Sequence, residues 1–283
     1  MPISNADAAV IDGFGDEWSR FDQTALPPEE HRAIFDDYFA IFPWDALPPG
    51  SVGADIGCGS GRWARLAAER VGTLYCVDPS AEALGVARRA LAGAPNVVFH
   101  EASVGALPFA TASLDFAYSL GVLHHVPDTA AGIAACAATL KPGAPFLVYL
   151  YYAFDNRPAW FRGVWRASDA VRRVVSVLPH PLRYAASQVA AGAVYWPLAR
   201  IARALERGGR EVGAFPLSAY RDKSFYTMRT DALDRLGTRL EQRFTRVEIR
   251  RMMEAAGLEN IRFHDDVPFW CAVGTRSGAP QPA

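Results

Sequence analysis

Lysine is nearly absent from this sequence: only Lys141 and Lys223 occur among 29 basic residues, so arginine carries almost all of the positive charge. Basic and acidic residues nearly cancel, at 29 and 30, and give a formal net charge of −1. Proteins that hold nucleic acid by its phosphates usually carry a clear basic excess. The overall charge therefore gives no reason to expect a nucleic-acid partner.

Cysteine is also scarce, and it is not arranged for metal binding. The four cysteines have no short spacing and no accompanying histidine pattern of the kind that builds a zinc site. They are Cys58, Cys76, Cys136 and Cys271. We therefore expect reduced thiols and no metal centre.

Long apolar segments are missing as well. No stretch reaches 18 residues without a polar interruption, and the nearest, residues 184–201, contains Gln188, Pro197 and Arg200. The first residues have neither the basic segment nor the apolar run of a secretory signal. We expect no transmembrane helix and a cytoplasmic protein.

A dense glycine loop follows a short apolar run near residue 52. Residues 52–56 predict a strand, Gly57, Gly59 and Gly61 come next at alternate positions, and a helix-forming segment begins at Arg62. Glycine suits this loop because it adopts positive φ and lets a ligand approach the backbone. The helix that follows offers unpaired N–H groups to an anionic ligand group. The pattern predicts the first half of a ligand-binding βαβ unit.

The spacing of the glycines separates two classes of ligand. A dinucleotide-binding loop reads G-x-G-x-x-G, whereas here Asp55 precedes glycines at 57, 59 and 61. The next predicted strand ends in Asp78, and a carboxylate at that position can accept hydrogen bonds from both hydroxyls of a ribose. The loop therefore favours a nucleoside without a pyrophosphate.

Strand and helix signals alternate from residue 51 onward, which predicts a doubly wound, mostly parallel α/β sheet with its ligand at the carboxyl ends of the strands. The predicted strands are 52–56, 73–77, 96–100, 114–119 and 144–151, followed near the end of the chain by 258–264 and 268–275. The short loop between the last two requires an antiparallel pair. Predicted helices are 62–71, 80–92, 129–139 and 245–256.

Five ordered blocks in this region make the sequence resemble the class I S-adenosylmethionine-dependent methyltransferases, in their type 11 small-molecule branch. The blocks are Asp-Ile-Gly-Cys-Gly-Ser-Gly (55–61), Cys-Val-Asp (76–78), Leu-Pro-Phe (107–109), Val-Leu-His-His-Val-Pro-Asp (122–128) and Leu-Lys-Pro-Gly-Ala-Pro-Phe-Leu (140–147). The resemblance implies a seven-stranded Rossmann-like methyltransferase fold. It also implies S-adenosylmethionine as cofactor and S-adenosylhomocysteine as product.

The resemblance places the cofactor along the carboxyl ends of the first four strands. Asp78 is expected to hold the ribose, and Ser103 stands where the family usually presents an aspartate to the adenine. Trp18, in an aromatic N-terminal segment, is expected either to cover the cofactor or only to cover the core. The expected cofactor-binding residues are Trp18, Asp55, Gly57, Cys58, Gly59, Gly61, Asp78, Pro79, Ser80, Ser103, Val104, Ser119 and Leu120.

Methyl transfer to a hydroxyl, an amine or an acidic carbon is assisted by a general base. His124 and His125 follow the fourth predicted strand, and histidine accepts a proton near neutral pH. We expect His124, and after it His125, to be the catalytic candidates; the alternative is that both only brace the loop. Tyr151, Tyr152, Tyr220 and Tyr226 are expected to line the acceptor site, with burial as the alternative.

The segment after the fifth strand departs from a minimal domain of this kind. Residues 155–216 hold several helical segments and ten arginines against four acidic residues. We predict a helical lid over the acceptor, and we keep three alternatives: a membrane-surface helix, a homodimer interface, and a merely solvated outer face. The predicted domains are an N-terminal cap (1–50), a cofactor-binding domain (51–154 and 217–276) and this insertion.

The function predicted from these features is methyl transfer from S-adenosylmethionine to a small-molecule acceptor. Membrane contact is considered but not favoured. Two alternatives remain open at this point. One is a membrane-docked enzyme that methylates a lipid or a quinone, and the other is a protein that binds the cofactor without transferring its methyl group.

Overall fold

Seven strands form one sheet in the computed structural model, which describes residues 5–278. They are β1 (Val52–Ile56), β2 (Thr73–Asp78), β3 (Val97–Glu101), β4 (Phe116–Leu120), β5 (Pro145–Tyr149), β6 (Leu258–Phe263) and β7 (Ala272–Arg276). Their order across the sheet is β3-β2-β1-β4-β5-β7-β6. The first five strands are parallel, and β7 runs antiparallel to both β5 and β6. The predicted doubly wound, seven-stranded architecture is confirmed.

Several element boundaries differ from the sequence-based expectation. β5 ends at Tyr149, two residues early, so Tyr151 lies beyond the strand. β7 begins at Ala272 rather than at residue 268, because the proline-containing segment before it forms a turn. The helix after the glycine loop spans only Ala64–Ala67 and continues as one tight turn over Ala68–Arg70.

Helices cover both faces of the sheet. Alternate strand residues enter two separate apolar layers, because successive side chains of a strand point to opposite faces. Leu74 and Tyr118 belong to the layer that packs against α2 and α3, while Ala54 and Ala117 belong to the layer under α5 and α10. The helices of this part are α1 (Ala8–Arg20), α2 (Pro28–Phe39), α3 (Ala64–Ala67), α4 (Ala81–Ala90), α5 (Thr129–Thr139) and α10 (Arg246–Ala255).

The chain divides into two compact units. Unit 1 holds the sheet and comprises the chain up to Asp22, Arg32–Ala153 and the chain from Leu240 onward. Unit 2 comprises Gln23–His31 and Phe154–Arg239. Its helices are α6 (Ala159–Val175), α7 (His180–Ala190), α8 (Trp196–Arg207) and α9 (Phe225–Gly237), and a π-helical turn over Ala191–Tyr195 joins α7 to α8.

Unit 2 is larger than the insertion 155–216 predicted from the sequence, because α9 belongs to it. Arg183 of α7 donates to the Gly237 carbonyl at 2.8 Å, and Arg172 of α6 donates to the Thr238 carbonyl at 2.9 Å. These buried arginines donate hydrogen bonds to carbonyls that have no partner within α9, at the end of the helix where its dipole is negative. The short segment 23–31 is held in unit 2 by Glu30, whose carboxylate accepts a hydrogen bond from the Thr227 hydroxyl at 2.7 Å.

Candidate active site

The glycine loop between β1 and α3 is shaped by contacts that leave no room for side chains. Gly57 has φ +82°, and a β-carbon on it would lie 2.4 Å from the Val122 side chain. Gly59 has φ +53°, and a β-carbon there would lie 2.7 Å from the indole nitrogen of Trp18. Both positions therefore require glycine on two grounds, conformation and space. The loop presents bare backbone at the carboxyl end of β1.

Asp78, at the end of β2, is joined to this loop through its carboxylate. One oxygen accepts the Gly59 N–H at 2.9 Å, and the other accepts the Ser80 N–H at 2.9 Å. Burial raises the pKa of Asp78 to about 6, although these two backbone hydrogen bonds favour its charged form. Since a carboxylate has about four acceptor positions, Asp78 can accept two further hydrogen bonds from a ligand.

Asp55 lies on β1, just before the loop, and is completely buried. Neither of its carboxyl oxygens has a hydrogen-bond partner among the described residues. Burial raises its pKa to about 8; the nearby Tyr118 hydroxyl opposes this rise, and the negative charge of Asp78 adds to it. A buried carboxyl group without a partner costs free energy unless it is neutral or meets a donor or cation. Asp55 is therefore suited to a positively charged ligand group.

The N-terminal helix α1 lies against the loop. Asp7 caps this helix by accepting from the N–H groups of Ala9 and Val10. Beyond the contact of Trp18 with Gly59, the α-carbon of Gly15 faces α4: a β-carbon there would lie 2.9 Å from the Ser80 hydroxyl. Trp18 is only half-buried. The aromatic segment predicted to cover the cofactor is thus placed beside the glycine loop.

The remaining expected cofactor residues lie at the same edge of the sheet, but their side chains are engaged differently. Ser103 precedes a single helical turn after β3, and Val104 in that turn is buried. The Ser119 hydroxyl donates to the Ile56 carbonyl at 2.8 Å and is inaccessible, so a direct ligand contact from it is not supported. The neighbouring Cys76 thiol, together with burial, raises the pKa of Cys58 well above the usual range. Pro79 and Leu120 complete this edge.

His124 and His125 follow β4 and make different hydrogen bonds. The Nδ1 atom of His125 lies 2.7 Å from the Leu240 carbonyl, which can only accept, so Nδ1 carries the proton and Nε2 is the unprotonated nitrogen of the neutral ring. The Nδ1 atom of His124 instead accepts the Tyr151 N–H at 3.4 Å, so the neutral ring carries its proton on Nε2. The tautomer suited to accept a proton at Nε2 is that of His125.

The four tyrosines expected at the acceptor site are divided between the two units, two in each. In unit 1, the Tyr151 ring stacks on His124 at 3.9 Å between centroids, and Tyr152 packs on Phe269 at 5.3 Å. In unit 2, the Tyr220 hydroxyl donates to the Asp231 carboxylate at 2.7 Å. The Tyr226 hydroxyl accepts the Gln23 N–H at 2.8 Å. Of the four, Tyr151 is the one in contact with the histidines.

Sequence reasoning missed the segment that holds the two histidines. Gln242 donates its backbone N–H to the His124 carbonyl at 3.0 Å, and Phe244 donates to the Tyr151 carbonyl at 2.9 Å. Together with the Leu240 carbonyl, these contacts fix the loop after β4. No signal in the sequence marks them, since they join backbone groups more than 90 residues apart.

Two further findings concern ligands and membranes. Among residues 5–278, no group of three or more metal-ligating side chains is found. No helix in the same range has both the length and the apolar character needed to cross a bilayer.

The segment that holds the glycine loop and the histidines matches known proteins. A family model described as a methyltransferase domain matches residues 54–148, which contain the glycine loop, Asp78 and both histidines. A Paracidovorax citrulli protein named ubiquinone biosynthesis O-methyltransferase is 37% identical over 120 residues, which cover 41% of this chain and 49% of that protein. A Thiobacillus denitrificans protein of the same name is 32% identical over 163 residues, which cover 56% of this chain and 67% of that protein.

A solved structure shares the fold. The complex between the Haloferax volcanii Trm112 methyltransferase activator and its candidate methyltransferase matches with a TM-score of 0.51 at 15% identity, covering 93% of this chain and 97% of that one. The chain spans about half to two thirds of the length of the curated relatives that it matches. The extent of the Thiobacillus match, with the family model, shows that this chain belongs to the class I S-adenosylmethionine-dependent methyltransferases.

Proposed function

We propose that this protein transfers a methyl group from S-adenosylmethionine to a hydroxyl group of a small-molecule acceptor. The observation that carries the proposal is the junction of Asp78 with the glycine loop. It places a carboxylate with spare acceptor positions beside backbone that no side chain could occupy, which suits a ribose next to a compact amino-acid tail.

The residues present fit this cofactor. Asp78 would accept from the ribose hydroxyls, and the backbone of Gly57 to Gly61 would face the amino-acid portion. Asp55, buried and without a partner, would gain one in the positive charge of the cofactor. Trp18 would cover the loop from the α1 side, while Ser103 and Val104 would lie beside the adenine. When bound, the cofactor supplies an electrophilic methyl group on a positively charged sulfur.

Holding the acceptor in line with that methyl group is the main task left to the protein, and such positioning contributes about 7–11 kcal/mol in favourable cases. We assign His125 as the base that removes the acceptor proton, because the Leu240 carbonyl orients its ring and fixes the tautomer in which Nε2 is the unprotonated nitrogen. His124, whose neutral tautomer carries a proton on Nε2, would donate a hydrogen bond instead. Tyr151, stacked on His124, would line the acceptor side.

A hydroxyl acceptor is supported by the names of the relatives, which are O-methyltransferases. The alternative that the protein binds the cofactor without transfer predicts binding but no methylated product. The assigned base favours turnover, whereas Asp55 supports cofactor binding under either alternative.

Calorimetry with S-adenosylmethionine and S-adenosylhomocysteine tests the cofactor assignment. We expect both to bind the whole chain, and Asp78→Ala to abolish binding because the ribose loses its carboxylate. Asp265→Ala, which removes an exposed carboxylate of the same unit that pairs with Arg246, is the matched control and should bind normally. Thermal melting shows whether Asp78→Ala remains folded. Absence of binding by the unmodified chain would refute the proposal.

Incubation with methyl-labelled S-adenosylmethionine and a metabolite extract of the producing cell then tests transfer. We expect mass spectrometry to find a small molecule that has gained one CH₂. Cofactor binding without any labelled product would favour the non-transferring alternative.

A further inference from the structure

A row of large apolar side chains lies exposed along one face of α6 in unit 2. Because an α-helix turns by about 100° per residue, positions 160, 164, 171 and 174 fall within a narrow sector. We call these four residues the α6 stripe. Their exposed fractions are 53% for Trp160, 52% for Val164, 55% for Val171 and 65% for Val174.

The α6 stripe is not the face by which the helix packs into unit 2. The packed face contains Asp169, Arg172 and Val175, all buried. The same 100° advance places Arg162, Arg166 and Arg173 in a third sector between the packed face and the stripe, and all three are exposed. The helix therefore has a packed face, a cationic face and an exposed apolar face.

The solvent-facing surface of α6 carries charge of one sign only. Asp169 is the single acidic residue in the helix, and it forms ion pairs with Arg172 at 2.7 Å and with Arg173 at 2.9 Å. Arg166 has no ion-pair partner among the described residues, and its guanidinium remains available for an external anion. A partner of this surface has to supply both negative charge and an apolar medium.

Exposed apolar side chains are concentrated in the same unit. Of the fourteen large hydrophobic residues that are exposed among residues 5–278, eleven belong to unit 2. Besides the α6 stripe, they are Val177, Leu182, Val189, Val194, Trp196, Ile201 and Phe225. Single exposed hydrophobic residues need no explanation, but such a concentration marks an interaction surface.

We propose that the α6 stripe and its arginines dock this protein on an anionic lipid bilayer. A helix that lies in a membrane interface needs an apolar face with bulky side chains, a basic polar face and no requirement to span the bilayer. Trp160 suits the level of the headgroups, where its ring is favoured. The arginines pair with lipid phosphates, to which guanidinium groups bind strongly.

The charges of α6 disfavour the two other occupants. A second copy of the chain packed stripe to stripe would cover the apolar side chains. It would leave Arg162, Arg166 and Arg173, which lie about 120–160° around the helix from the stripe, without an anionic partner from that contact. An acidic protein could satisfy the arginines, but it would also have to offer a matching apolar groove. The bilayer meets both requirements at once. This inference does not rest on methyl transfer, since the surface lies in unit 2 and docking needs no cofactor.

Sedimentation with vesicles tests the proposal on the full chain. We expect binding to vesicles of equal parts phosphatidylglycerol and phosphatidylcholine, and weak binding to phosphatidylcholine alone. Val171→Asp should weaken the binding by about tenfold or more, because it places a charge in the apolar face. The matched control is Val247→Asp on α10 of unit 1: Val247 is 56% exposed against 55% for Val171, and its replacement should change nothing.

Three readouts keep the test decisive. Arg166→Glu should weaken binding and reduce its dependence on salt, because the attraction between exposed charges is screened. Tryptophan emission should shift to the blue with anionic vesicles and lose part of that shift in Trp160→Phe. The proposal is overturned if the unmodified chain ignores anionic vesicles, if Val171→Asp and Val247→Asp bind alike, or if light scattering shows a dimer that Val171→Asp dissociates.

Discussion

Asp55 is the residue at which stability and ligand binding oppose each other. Its carboxyl group is completely buried, and burial raises its pKa to about 8. The folded chain without ligand therefore favours the neutral form, whereas a positively charged ligand group favours the ionised form. A residue kept only for stability would be better replaced by an uncharged one of the same size.

Asp55→Asn is predicted to flatten the dependence of stability on pH. Because the folded pKa of Asp55 lies above that of the unfolded chain, its contribution to stability is full below about pH 4 and is lost as the pH rises toward 8. The loss can reach about 1.4 kcal/mol per pH unit. Between pH 7 and 8, above the pKa of about 6 for Asp78, the free energy of unfolding measured with denaturant should decline more steeply in the unmodified protein than in the variant.

Asp115→Asn is the control with the opposite sign. Burial alone would raise the pKa of Asp115, but hydrogen bonds from Lys141 and the Val52 N–H lower it below the usual range. Its contribution is therefore present above about pH 4 and lost as the pH falls through its folded pKa. The difference in free energy of unfolding between this variant and the unmodified protein should vanish in acid. Equal pH profiles for both aspartate variants would contradict the account of Asp55.

His125→Ala is predicted to reduce kcat by roughly 10²–10⁴-fold once the acceptor is known, because the proton at the acceptor loses its base. The affinity for S-adenosylhomocysteine should stay unchanged. His124→Asn, whose amide oxygen can still accept the Tyr151 N–H, should have the smaller effect. A larger loss of kcat in His124→Asn than in His125→Ala would return the base role to His124, as the sequence first suggested.

At the level of elements, the conformation of the β1–α3 loop is fixed by close contacts with Trp18 and Val122. Gly57→Ala is predicted to destabilise the fold more than Gly143→Ala, although the two glycines have φ of +82° and +80°. Both variants carry the cost of positive φ, about 1–2 kcal/mol. Only Gly57→Ala adds the clash with Val122, about 1–3 kcal/mol more. Denaturant unfolding of both variants measures the difference, and equal losses would mean that the loop tolerates the methyl group.

The elements also show how far the sequence could be read. The strand positions and the site loop were predictable because apolar runs, alternate glycines and Asp78 are local signals. The contact of Leu240 with His125 was not, because it pairs side chain and backbone 115 positions apart. The same limit applies to α9: its helical pattern is local, but its place in unit 2 depends on Arg172 and Arg183 reaching its last carbonyls.

For the whole molecule, the net charge of −1 conceals two units of opposite sign. Unit 2 contains 15 basic and 9 acidic residues, a net charge of +6, and unit 1 contains 14 and 21, a net charge of −7. The balance over the whole chain therefore said little about its partners. Charge divided in this way allows one protein to carry an acidic cofactor-binding unit and a basic surface suited to anionic lipid.

The two proposed ligands can be separated by one pair of variants. Asp78 belongs to the sheet unit and Val171 to the helical unit, and each unit has a core of its own. Asp78→Ala should lose S-adenosylhomocysteine and keep anionic vesicles, whereas Val171→Asp should do the reverse. Titrating S-adenosylhomocysteine with and without vesicles measures the coupling between the two sites. If its affinity is the same in both titrations, the sites are independent. If vesicles change its affinity by some factor, S-adenosylhomocysteine must change the affinity for vesicles by the same factor, because linkage is reciprocal. If either variant loses both ligands while remaining folded, the assignment of one ligand to each unit is wrong.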